Sequence, residues 1–492
     1  MNPLKKLASQ TAIYGVSSII GRFLNYLLVP LYTRFFLPAE YGVISEFYSY
    51  TGFLWVFLTF GMETGYFRFS KSDEGQRTYS TALIFLSAMS FCFAVLVFLL
   101  APLMGQALHY QEHLEYFKWF GLILAIDTIG AMPFARLRQE GRPVHFAAIK
   151  LIEIAVNIGF NIFFIVLCKG AYDQDPTSLW AKFYSPAIGV GYVFISNLLA
   201  SGVKLVLLLP QLQSIKDGFD RPLFRRMLSY SMPMVVIGLA GVTNEMLDRA
   251  ILPHYIVGSD TFKREQTGIY GACYKISILM SLFIQAFRFA AEPFFFANAD
   301  KENSRKTISD VMTWFVIFCC FIFLMVTLNL DFFGHFIGEK YRVGLPVVPI
   351  LMLANLFLGV YVNLSVWYKL TDHTMTGAWV AIGGAAVTIA LNLLLIPTMG
   401  YMGSAWATLV CYFLMALVSF LMGQHYYPVP YETLKVVLYI VLALILYAIY
   451  TFAVVDASSL VHYATSLGFL LLFGVFVFVV DGRGLMAVVR RR

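Results

Sequence analysis

The sequence predicts an all-α integral membrane protein with about fourteen transmembrane helices, arranged as two six-helix lobes followed by two further helices. Three observations support this prediction. Charged residues make up only 13% of the 492-residue chain, against about 25% in soluble domains. The mean hydropathy is +0.74. Apolar runs of about 20 residues, long enough to cross a bilayer as a helix, recur from end to end.

The predicted spans follow one another with short connections. Their approximate ranges are 11–33, 42–66, 79–105, 114–135, 145–168, 185–209, 227–253, 268–294, 308–330, 345–368, 376–396, 402–423, 434–454 and 459–480. The runs are too long and too continuously apolar for the strands of a membrane barrel. The first run contains Arg22 and exceeds the apolar region of a signal peptide, so we expect it not to be cleaved.

The distribution of Lys and Arg predicts the orientation of the chain. If the N-terminus is cytoplasmic, the inner segments hold roughly three times as many basic residues as the outer segments. This asymmetry predicts an even number of spans with both termini in the cytoplasm. The net charge of +7 is then explained by the basic residues of the cytoplasmic segments and does not indicate nucleic-acid binding.

Four short matches, in the same order, indicate that a six-span unit is duplicated. The matched segments are 4–9 with 224–229, 30–32 with 253–255, 41–43 with 267–269, and 60–64 with 289–293. They predict a lobe at 1–210, a cytoplasmic linker at 211–224 and a second lobe at 225–424. Residues 425–492 then contain two additional helices and a basic cytoplasmic tail. Because both lobes start on the same side, a pseudo-twofold axis along the membrane normal would relate them.

Several predicted spans carry polar residues at helical spacing, and such a face cannot contact lipid. An arginine at mid-membrane, such as Arg22, costs roughly 2.5–3.5 kcal/mol on insertion scales. The first span carries Ser18, Arg22 and Asn25, and the fifth carries Lys150, Glu153, Asn157 and Asn161. The seventh carries Glu245, Asp248 and Arg249, and the eighth carries Tyr274, Ser277, Ser281, Gln285, Arg288 and Glu292. These faces predict a shared central cavity that is hydrated or holds an anion.

Structural alternatives exist for several of these residues. The pairs Glu245–Arg249 and Lys150–Glu153 have the spacing of ion pairs within one helix. Asp127 in the fourth span is either a protonatable coupling group or the partner of a lysine on a neighbouring helix. Glu63 and Glu292 lie near predicted cytoplasmic ends, where gating contacts and simple solvation both suit a carboxylate.

The balance of charge in the predicted cavity favours an anionic substrate. Its cations would be Arg22, Lys150, Arg249, Lys275 and Arg288. Arginine suits phosphate in particular because its planar group bonds two oxygens at once. The sequence contains no nucleotide-binding or hydrolase motif and no metal-ligand spacing of cysteines with histidines. We therefore expect a transporter without resident metal or cofactor, not an enzyme.

Two stretches resemble a known family. The opening segment, LKKLASQTAIYGVSSIIGRFLNYLLVPLYTRFFLPAEYGVISEF, resembles the start of the Wzx-like polysaccharide and O-antigen flippases. These belong to the multidrug/oligosaccharidyl-lipid/polysaccharide (MOP) exporter superfamily. The segment NLLLIPTMGYMGSAWATLV, at 392–410, resembles that family's pattern late in the second half. The resemblance, together with the repeat and the span count, covers nearly the whole chain.

The resemblance implies a flippase that moves undecaprenyl-pyrophosphate-linked oligosaccharide to the outer leaflet of the bacterial inner membrane, for lipopolysaccharide or other surface polysaccharide. Alternating access, coupled to a proton or sodium gradient, would drive it. A polysaccharide polymerase and a chain-length regulator are the implied protein partners, besides membrane lipids. In this mechanism the five cations attract the pyrophosphate or acidic sugars, and Asn25, Asn157, Asn161, Ser281 and Gln285 bond glycan hydroxyls.

Two other functions remain open at this point. An ion-coupled drug or cation antiporter of the same superfamily would use unpaired acids in the cavity, for which Asp127, Glu153, Glu245 and Asp248 are candidates. A membrane glycan polymerase or ligase usually has a sizeable external catalytic loop. The longest predicted outer loop, 169–184, is short, which argues against that function.

Overall fold

The computed structural model describes residues 19–70, 75–213, 215, 217–298, 302–453 and 459–489. Throughout these residues the regular structure is helical, without strands, which confirms the all-α prediction. Ser18, the basic pair at 5–6 and the last three arginines lie outside the described residues. The chain divides into two compact units, Met1–Gly268 and Ile269–Arg492.

The first unit begins, in its described part, with helical residues 19–26. Its long helices are α1 (Leu28–Phe35), α2 (Pro38–Thr59), α3 (Met62–Phe69), α4 (Gly75–Ala107), α5 (Leu114–Gln139), α6 (Pro143–Asn161), α7 (Gly191–Leu207) and α8 (Arg221–Tyr255). Short helical segments are Gln111–His113, Ile162–Cys168, Lys169–Gln174, Ala181–Phe183 and Leu209–Leu212. Helix α9 (Asp260–Ala297) crosses the division between the units.

The second unit contains the rest of α9 and six further long helices. These are α10 (Ser304–Thr327), α11 (Val347–Leu364), α12 (Thr374–Met399), α13 (Tyr401–Tyr426), α14 (Thr433–Ala453) and α15 (Ser459–Val489). Short helical segments are Leu330–Gly334, Glu339–Gly344 and Val366–Leu370. Its core packs α11 against α13 through buried residues that include Tyr412 and Met415.

Eleven helices within the described residues are long and apolar enough to cross a membrane, and α7 is a shorter apolar helix. The multi-pass architecture is therefore confirmed, whereas the count of fourteen is not. The units divide at Gly268 rather than at the predicted linker, 211–224. The two six-helix lobes and their pseudo-twofold axis stay a prediction.

Local signals in the sequence set the starts of two helices that matter below. Helix α2 begins with Pro38, whose missing N–H costs nothing because a first-turn N–H has no partner within the helix. The Glu40 carboxylate then accepts a hydrogen bond from the Leu37 amide at 2.7 Å. Helix α8 begins after Asp220, which accepts from the Leu223 amide at 2.9 Å.

An aromatic cluster anchors α2 within the first unit. Phe47 is buried, and its ring contacts those of Tyr110, Tyr116, Phe117, Phe120 and Phe194 at centroid distances of 5.1–6.4 Å. These residues come from α5, α7 and the loop before α5. Aromatic pairs in this range add roughly 0.5–1.5 kcal/mol each beyond area burial. The cluster therefore fixes the rotation of α2 and the direction of Glu46 beside it.

Helix α2 also crosses the start of α9 at two glycines. A Cβ atom on Gly42 would lie 2.0 Å from the Arg264 carbonyl oxygen, and one on Gly268 would lie 1.9 Å from the Pro38 carbonyl oxygen. Neither site has room for a side chain. The sequence repeat makes these same two glycines equivalent, because segment 41–43 matches 267–269.

Candidate functional site

A polar cavity of about 330 Å³ lies in the first unit, between helical residues 19–26 and helices α6 and α7. Its polar lining consists of Arg22, Asn25, Lys150, Glu153, Asn157 and Asn197, and its apolar lining of Gly21, Phe146 and Ile154. Of the residues predicted to form a cationic cavity, the structure thus brings together Arg22, Lys150, Asn25 and Asn157. Glu153, predicted as a coupling or gating acid, lies in the same wall.

The two cations of this cavity are held differently. Lys150 forms an ion pair with Glu153 at 3.1 Å, and its ammonium group lies 4.7 Å from the centre of the Phe134 ring. Arg22 forms no ion pair within the part of the chain that the structure describes. The arginine therefore presents its donors to the cavity, while the structural alternative proposed for Lys150 and Glu153 is the arrangement observed.

A buried lysine links the cavity to a second acid. Lys204 on α7 is 3% exposed, and its ammonium group lies 2.6 Å from Glu153 and 2.5 Å from Asp127. The Ser201 hydroxyl donates to Asp127 at 2.7 Å. The buried Lys204 charge is tolerable because two partly buried carboxylates face it at hydrogen-bond distance. Asp127 thus pairs with a lysine on a neighbouring helix.

Together these groups leave the cavity positive. The cations Arg22, Lys150 and Lys204 outnumber the carboxylates Asp127 and Glu153, and the surplus charge is Arg22. The carboxylates are already engaged by the two lysines. A ligand entering the cavity therefore meets an unpaired guanidinium group, which favours an anion.

Hydrogen bonds fix the polarity of Asn157. The Asn161 amide Nδ2 donates to the Asn157 carbonyl oxygen at 2.8 Å and to Asn157 Oδ1 at 3.0 Å, and the Tyr32 hydroxyl donates to Asn161 Oδ1 at 2.9 Å. A backbone carbonyl only accepts, so Asn161 must turn its Nδ2 toward it. Asn157 must then offer Oδ1 to Asn161, which leaves its Nδ2 donor for the cavity.

Asn161 itself is buried and does not line this cavity, although the sequence grouped it with the glycan-binding residues. It acts instead on Asn157. Nor is Arg249, on α8, among the described residues that line the cavity. Its Nε lies 3.2 Å from Asp248, and its guanidinium group donates to the Glu245 carbonyl oxygen. A role of Arg249, Asp248 or Glu245 in transport stays a prediction.

The remaining predicted residues of the eighth span lie in the second unit. The Ser281 hydroxyl donates to Asn355 at 3.1 Å, and the Gln285 side-chain oxygen is buried without a hydrogen bond among the described residues. Lys275 is half-buried on α9. Arg288 Nε lies 3.7 Å from Glu292, which Lys369 approaches more closely at 2.5 Å. Whether these groups and Arg22 serve one cavity stays a prediction.

Sequence reasoning missed two contributors to the site, Lys204 and Tyr32. The Lys204 ammonium group is buried against two acids. The Tyr32 hydroxyl donates to Asn161. Glu63, a predicted gating acid, forms an ion pair with Arg138, which the charge pattern of the loops did not indicate. Among the described residues, no cluster of His, Cys, Asp and Glu could hold a metal ion.

Comparisons with known proteins bear on this geometry. The model of a family described as polysaccharide biosynthesis protein matches residues 31–343. No curated protein sequence matches the chain. The fold resembles that of the lipid II flippase MurJ in an inward closed conformation, with 12% identity and a TM-score of 0.72, over 96% of this chain and 100% of MurJ.

Two other solved structures share the fold. One is a multidrug resistance MATE family transporter of the MOP superfamily in an inward-facing conformation, with 13% identity and a TM-score of 0.61, over 85% of this chain and 97% of that chain. The other is a MOP superfamily transporter from Pyrococcus furiosus, described as having a binding pocket of reverse polarity. It shows 13% identity and a TM-score of 0.57, over 86% of this chain and 98% of that chain. At these identities the likeness establishes the fold.

Proposed function

This chain belongs to the polysaccharide biosynthesis protein family, and from that premise we propose that it is a flippase of the MOP superfamily for lipid-linked oligosaccharide. Its cargo is an oligosaccharide on undecaprenyl pyrophosphate, carried from the inner to the outer leaflet of the bacterial inner membrane. The product supplies surface polysaccharide such as O-antigen, and a polymerase and a chain-length regulator act next on it.

The observation that carries this proposal is Arg22, which lines a polar cavity and has no ion-pair partner among the described residues. A pyrophosphate group is the part of the cargo that lipid tolerates least, because of its charge. Arg22 supplies a planar fork of donors, Lys150 a second positive charge and Asn157 an oriented amide donor. The hydroxyl groups of a glycan would find Asn25 and Asn197 on the same walls.

Alternating access is the expected mode of movement. The fold relatives include an inward closed structure of MurJ, a lipid II flippase, and an inward-facing structure of a MATE family transporter. The present chain would expose its cavity to one leaflet at a time in the same manner. Cargo binding would neutralise Arg22, which lowers the cost of passing that charge through a closed state.

The proposal is tested by reconstitution. Purified protein in liposomes that contain a fluorescent lipid-linked oligosaccharide should move the glycan to the opposite leaflet, where an added glycosidase removes it. Arg22→Ala should abolish this movement, and Arg22→Lys should retain part of it because the charge remains without the planar fork. An Arg22→Ala variant that flips the cargo at the wild-type rate would overturn the assignment.

A cellular experiment extends the test to the second unit. Arg22→Ala and Arg288→Ala should each abolish surface polysaccharide without loss of membrane-inserted protein. Arg305→Ala is a suitable control, since Arg305 stacks on the Tyr427 ring at 4.7 Å near a helix end and lies outside both polar groups. Normal polysaccharide display by both cavity variants would contradict the cationic-cavity mechanism.

One observation favours the second candidate, an ion-coupled multidrug or cation antiporter. Glu153 lines the cavity beside Arg22, and its carboxylate would attract a cation if Lys150 and Lys204 were displaced from it. The MATE fold relatives are described as multidrug resistance transporters. Drug resistance conferred on an efflux-deficient host, and lost in Glu153→Gln, would favour this function over the flippase.

A further inference from the structure

Five of the six acids that the sequence indicated for coupling or gating form ion pairs with Lys or Arg. Glu63 pairs with Arg138, Asp127 with Lys204, Glu153 with both Lys150 and Lys204, Asp248 with Arg249, and Glu292 with Lys369. Binding a proton at any of these five carboxylates would break an ion pair with a permanent cation. A carboxylate that takes up and releases a proton during transport has to be sought elsewhere.

Glu46 on α2 differs from all of these acids. Its side chain is 3% exposed, yet within the described residues no Lys or Arg lies within 4.0 Å of its carboxylate. The Tyr50 hydroxyl donates to Oε1 at 2.9 Å, and the Tyr110 hydroxyl donates to Oε2 at 2.8 Å. The Nε2 atom of His254, on α8, lies 3.6 Å from Oε1.

Tyr50 connects the two titratable groups. Its hydroxyl oxygen lies 2.9 Å from Glu46 Oε1 and also 2.9 Å from His254 Nε2. The hydroxyl has one hydrogen, so it satisfies either the carboxylate or the imidazole as a donor. If it donates to Glu46, His254 must carry a proton on Nε2. If it donates to His254, Glu46 must itself carry a proton. Both arrangements satisfy every group.

Titratable groups surround Glu46 on several neighbouring helices and loops. Tyr50 faces it from α2 itself, Tyr110 from the loop before α5, and His254 from α8. From α9, the Arg264 guanidinium group lies 4.1 Å from the centre of the Tyr110 ring. Among the described Lys, Arg and His side chains, only His254 has a nitrogen within 4.0 Å of the Glu46 carboxylate.

A second cavity leads to this cluster. Its volume is about 230 Å³, and it is lined by residues that include Glu40, His113, Tyr116, Tyr110 and Arg264. Tyr110 therefore forms part of the cavity wall and donates a hydrogen bond to Glu46. The cavity lies at the ends of α2 and α5 that the charge distribution predicts to face the outside of the membrane. Water in it would reach Glu46 through the Tyr110 hydroxyl.

We propose that Glu46 and His254, joined by Tyr50 and reached through Tyr110, form a proton-binding site that the outer aqueous phase loads. The site lies where α2 packs on α8, so its proton changes the contact between these two helices. Each protonation event moves one proton from water to the Glu46 carboxylate and leaves the tyrosines neutral. As the coupling site of transport, a role that depends on the proposed function, it would let a proton gradient drive the flipping cycle.

Protonation is tested directly, without any transport assay. Infrared difference spectra of the purified full-length protein, recorded between pH 8 and pH 5, should show the C=O stretch of a protonated carboxyl group appear. Glu46→Gln should remove that band. Glu140→Gln, which removes a carboxylate paired with Arg136 at 2.7 Å, should keep it. A band that survives in Glu46→Gln would overturn the proposal.

A second variant covers the case in which Glu46→Gln does not fold. Tyr110→Phe removes one donor to the carboxylate and so disfavours its charged form. The midpoint of the band should then move to higher pH, and an unchanged midpoint would count against the site. Thermal unfolding of each variant in the same detergent shows whether the fold is retained.

The coupling role needs liposomes. Flipping of lipid-linked oligosaccharide by the wild type should depend on an imposed pH difference, and flipping by Glu46→Gln should not. If Glu46 titrates but wild-type flipping ignores the pH difference, the coupling role is wrong and the flippase function stands. If the wild type flips no glycan, the proposed function fails while the infrared result still decides the proton site.

Discussion

Asn157 shows how a neutral side chain acquires a fixed polarity inside this protein. An isolated asparagine offers a donor and an acceptor to any ligand. Here the Asn157 Oδ1 atom accepts a hydrogen bond from Asn161 Nδ2. The Asn161 Oδ1 atom in turn accepts one from the Tyr32 hydroxyl. The donor that remains points into a cavity that already contains Arg22 and Lys150. All three groups therefore offer N–H donors, which is the arrangement that phosphate oxygens require.

This orientation leads to a prediction for Asn157→Asp. The change replaces the cavity donor with an acceptor of the same shape and adds a negative charge. Hydrogen bonds to charged groups are worth about 1.5–3 kcal/mol, so affinity for a short-chain prenyl pyrophosphate should fall at least roughly 10-fold. Isothermal titration calorimetry of the detergent-solubilised protein measures this affinity.

The control for this prediction is Asn197→Asp in the same cavity. The Asn197 amide donates one of its two N–H hydrogens to the Tyr48 hydroxyl at 2.7 Å, so it offers a ligand one donor where Asn157 offers two. The variant adds the same charge and removes fewer ligand donors, so its loss of affinity should be smaller. Equal losses in both variants would show that charge alone acts and that the orientation of Asn157 is irrelevant.

Lys204 carries a prediction about stability. Lys204→Met would leave the partly buried Asp127 carboxylate without the Lys204 cation and Glu153 with Lys150 alone. Removing one partner of a fully buried ion pair typically costs about 3–5 kcal/mol. Because both carboxylates keep some contact with solvent, we expect a smaller loss, seen as a lower unfolding temperature of the purified protein. The variant Asp127→Asn/Glu153→Gln/Lys204→Met, which neutralises all three charges, should recover most of the loss. A single variant as stable as the wild type would contradict the observed network.

The residues of the site were only partly predictable from the sequence, for a physical reason. The pair Lys150–Glu153 lies within one turn of one helix, so its spacing alone indicates the contact. Lys204 meets Asp127, 77 positions earlier, only because α5 and α7 pack side by side, and a single sequence does not show which helices are neighbours. Glu46 escaped notice for the same reason, since two of its three partners, Tyr110 and His254, come from a loop and from α8.

At the scale of helices, hydropathy located the spans well and their ends poorly. Helix α9 was predicted over 268–294, but it runs from Asp260 to Ala297 and contains 38 residues. At about 1.5 Å per residue it is roughly 57 Å long, well beyond the hydrocarbon layer of about 30 Å. Hydropathy detects only the part that contacts lipid, whereas backbone hydrogen bonding continues into the charged turn that contains Lys263 and Arg264.

The crossing of α2 and α9 supplies a prediction at this scale. Gly42→Ala would place a methyl group 2.0 Å from the Arg264 carbonyl oxygen, so two helix backbones would have to separate. Such overpacking costs about 1–3 kcal/mol. Gly241→Ala on α8, where nothing lies within 4 Å of the new Cβ, should be neutral or stabilising because alanine favours helix. Unfolding temperatures in one detergent compare the two variants.

The outcome bears on the repeat as well as on packing. Two positions made equivalent by a twofold repeat contact each other only if both lie close to the axis. If the crossing is such a contact, Gly268→Ala should destabilise the protein about as much as Gly42→Ala does. A large effect at one glycine and none at the other would indicate an ordinary helix crossing and would weaken the case for duplicated lobes.

For the whole molecule, the main sequence signal is the uneven distribution of Lys and Arg, which predicts both termini in the cytoplasm. Cysteine labelling tests this orientation. In a Cys92→Ser background the five remaining native cysteines are buried. Gln174→Cys, at the end of the short helical segment Lys169–Gln174, should react with a membrane-impermeant maleimide in spheroplasts. Thr374→Cys, at the start of α12, should react only in inverted vesicles.

The orientation decides the direction of every transport step argued above. The cavity lined by Tyr110 lies at the ends of α2 and α5. The predicted topology puts these ends on the same side of the membrane as residue 174. Labelling of Gln174→Cys from outside would therefore place the Glu46 proton site on the outer side. Protons moving down their gradient would then enter from the side to which the glycan is delivered. Reversed labelling would put the site in contact with the cytoplasm, and an inward proton gradient could not load it first. The coupling scheme would then be wrong even if Glu46 titrates, and the roles of the two leaflets would have to be exchanged.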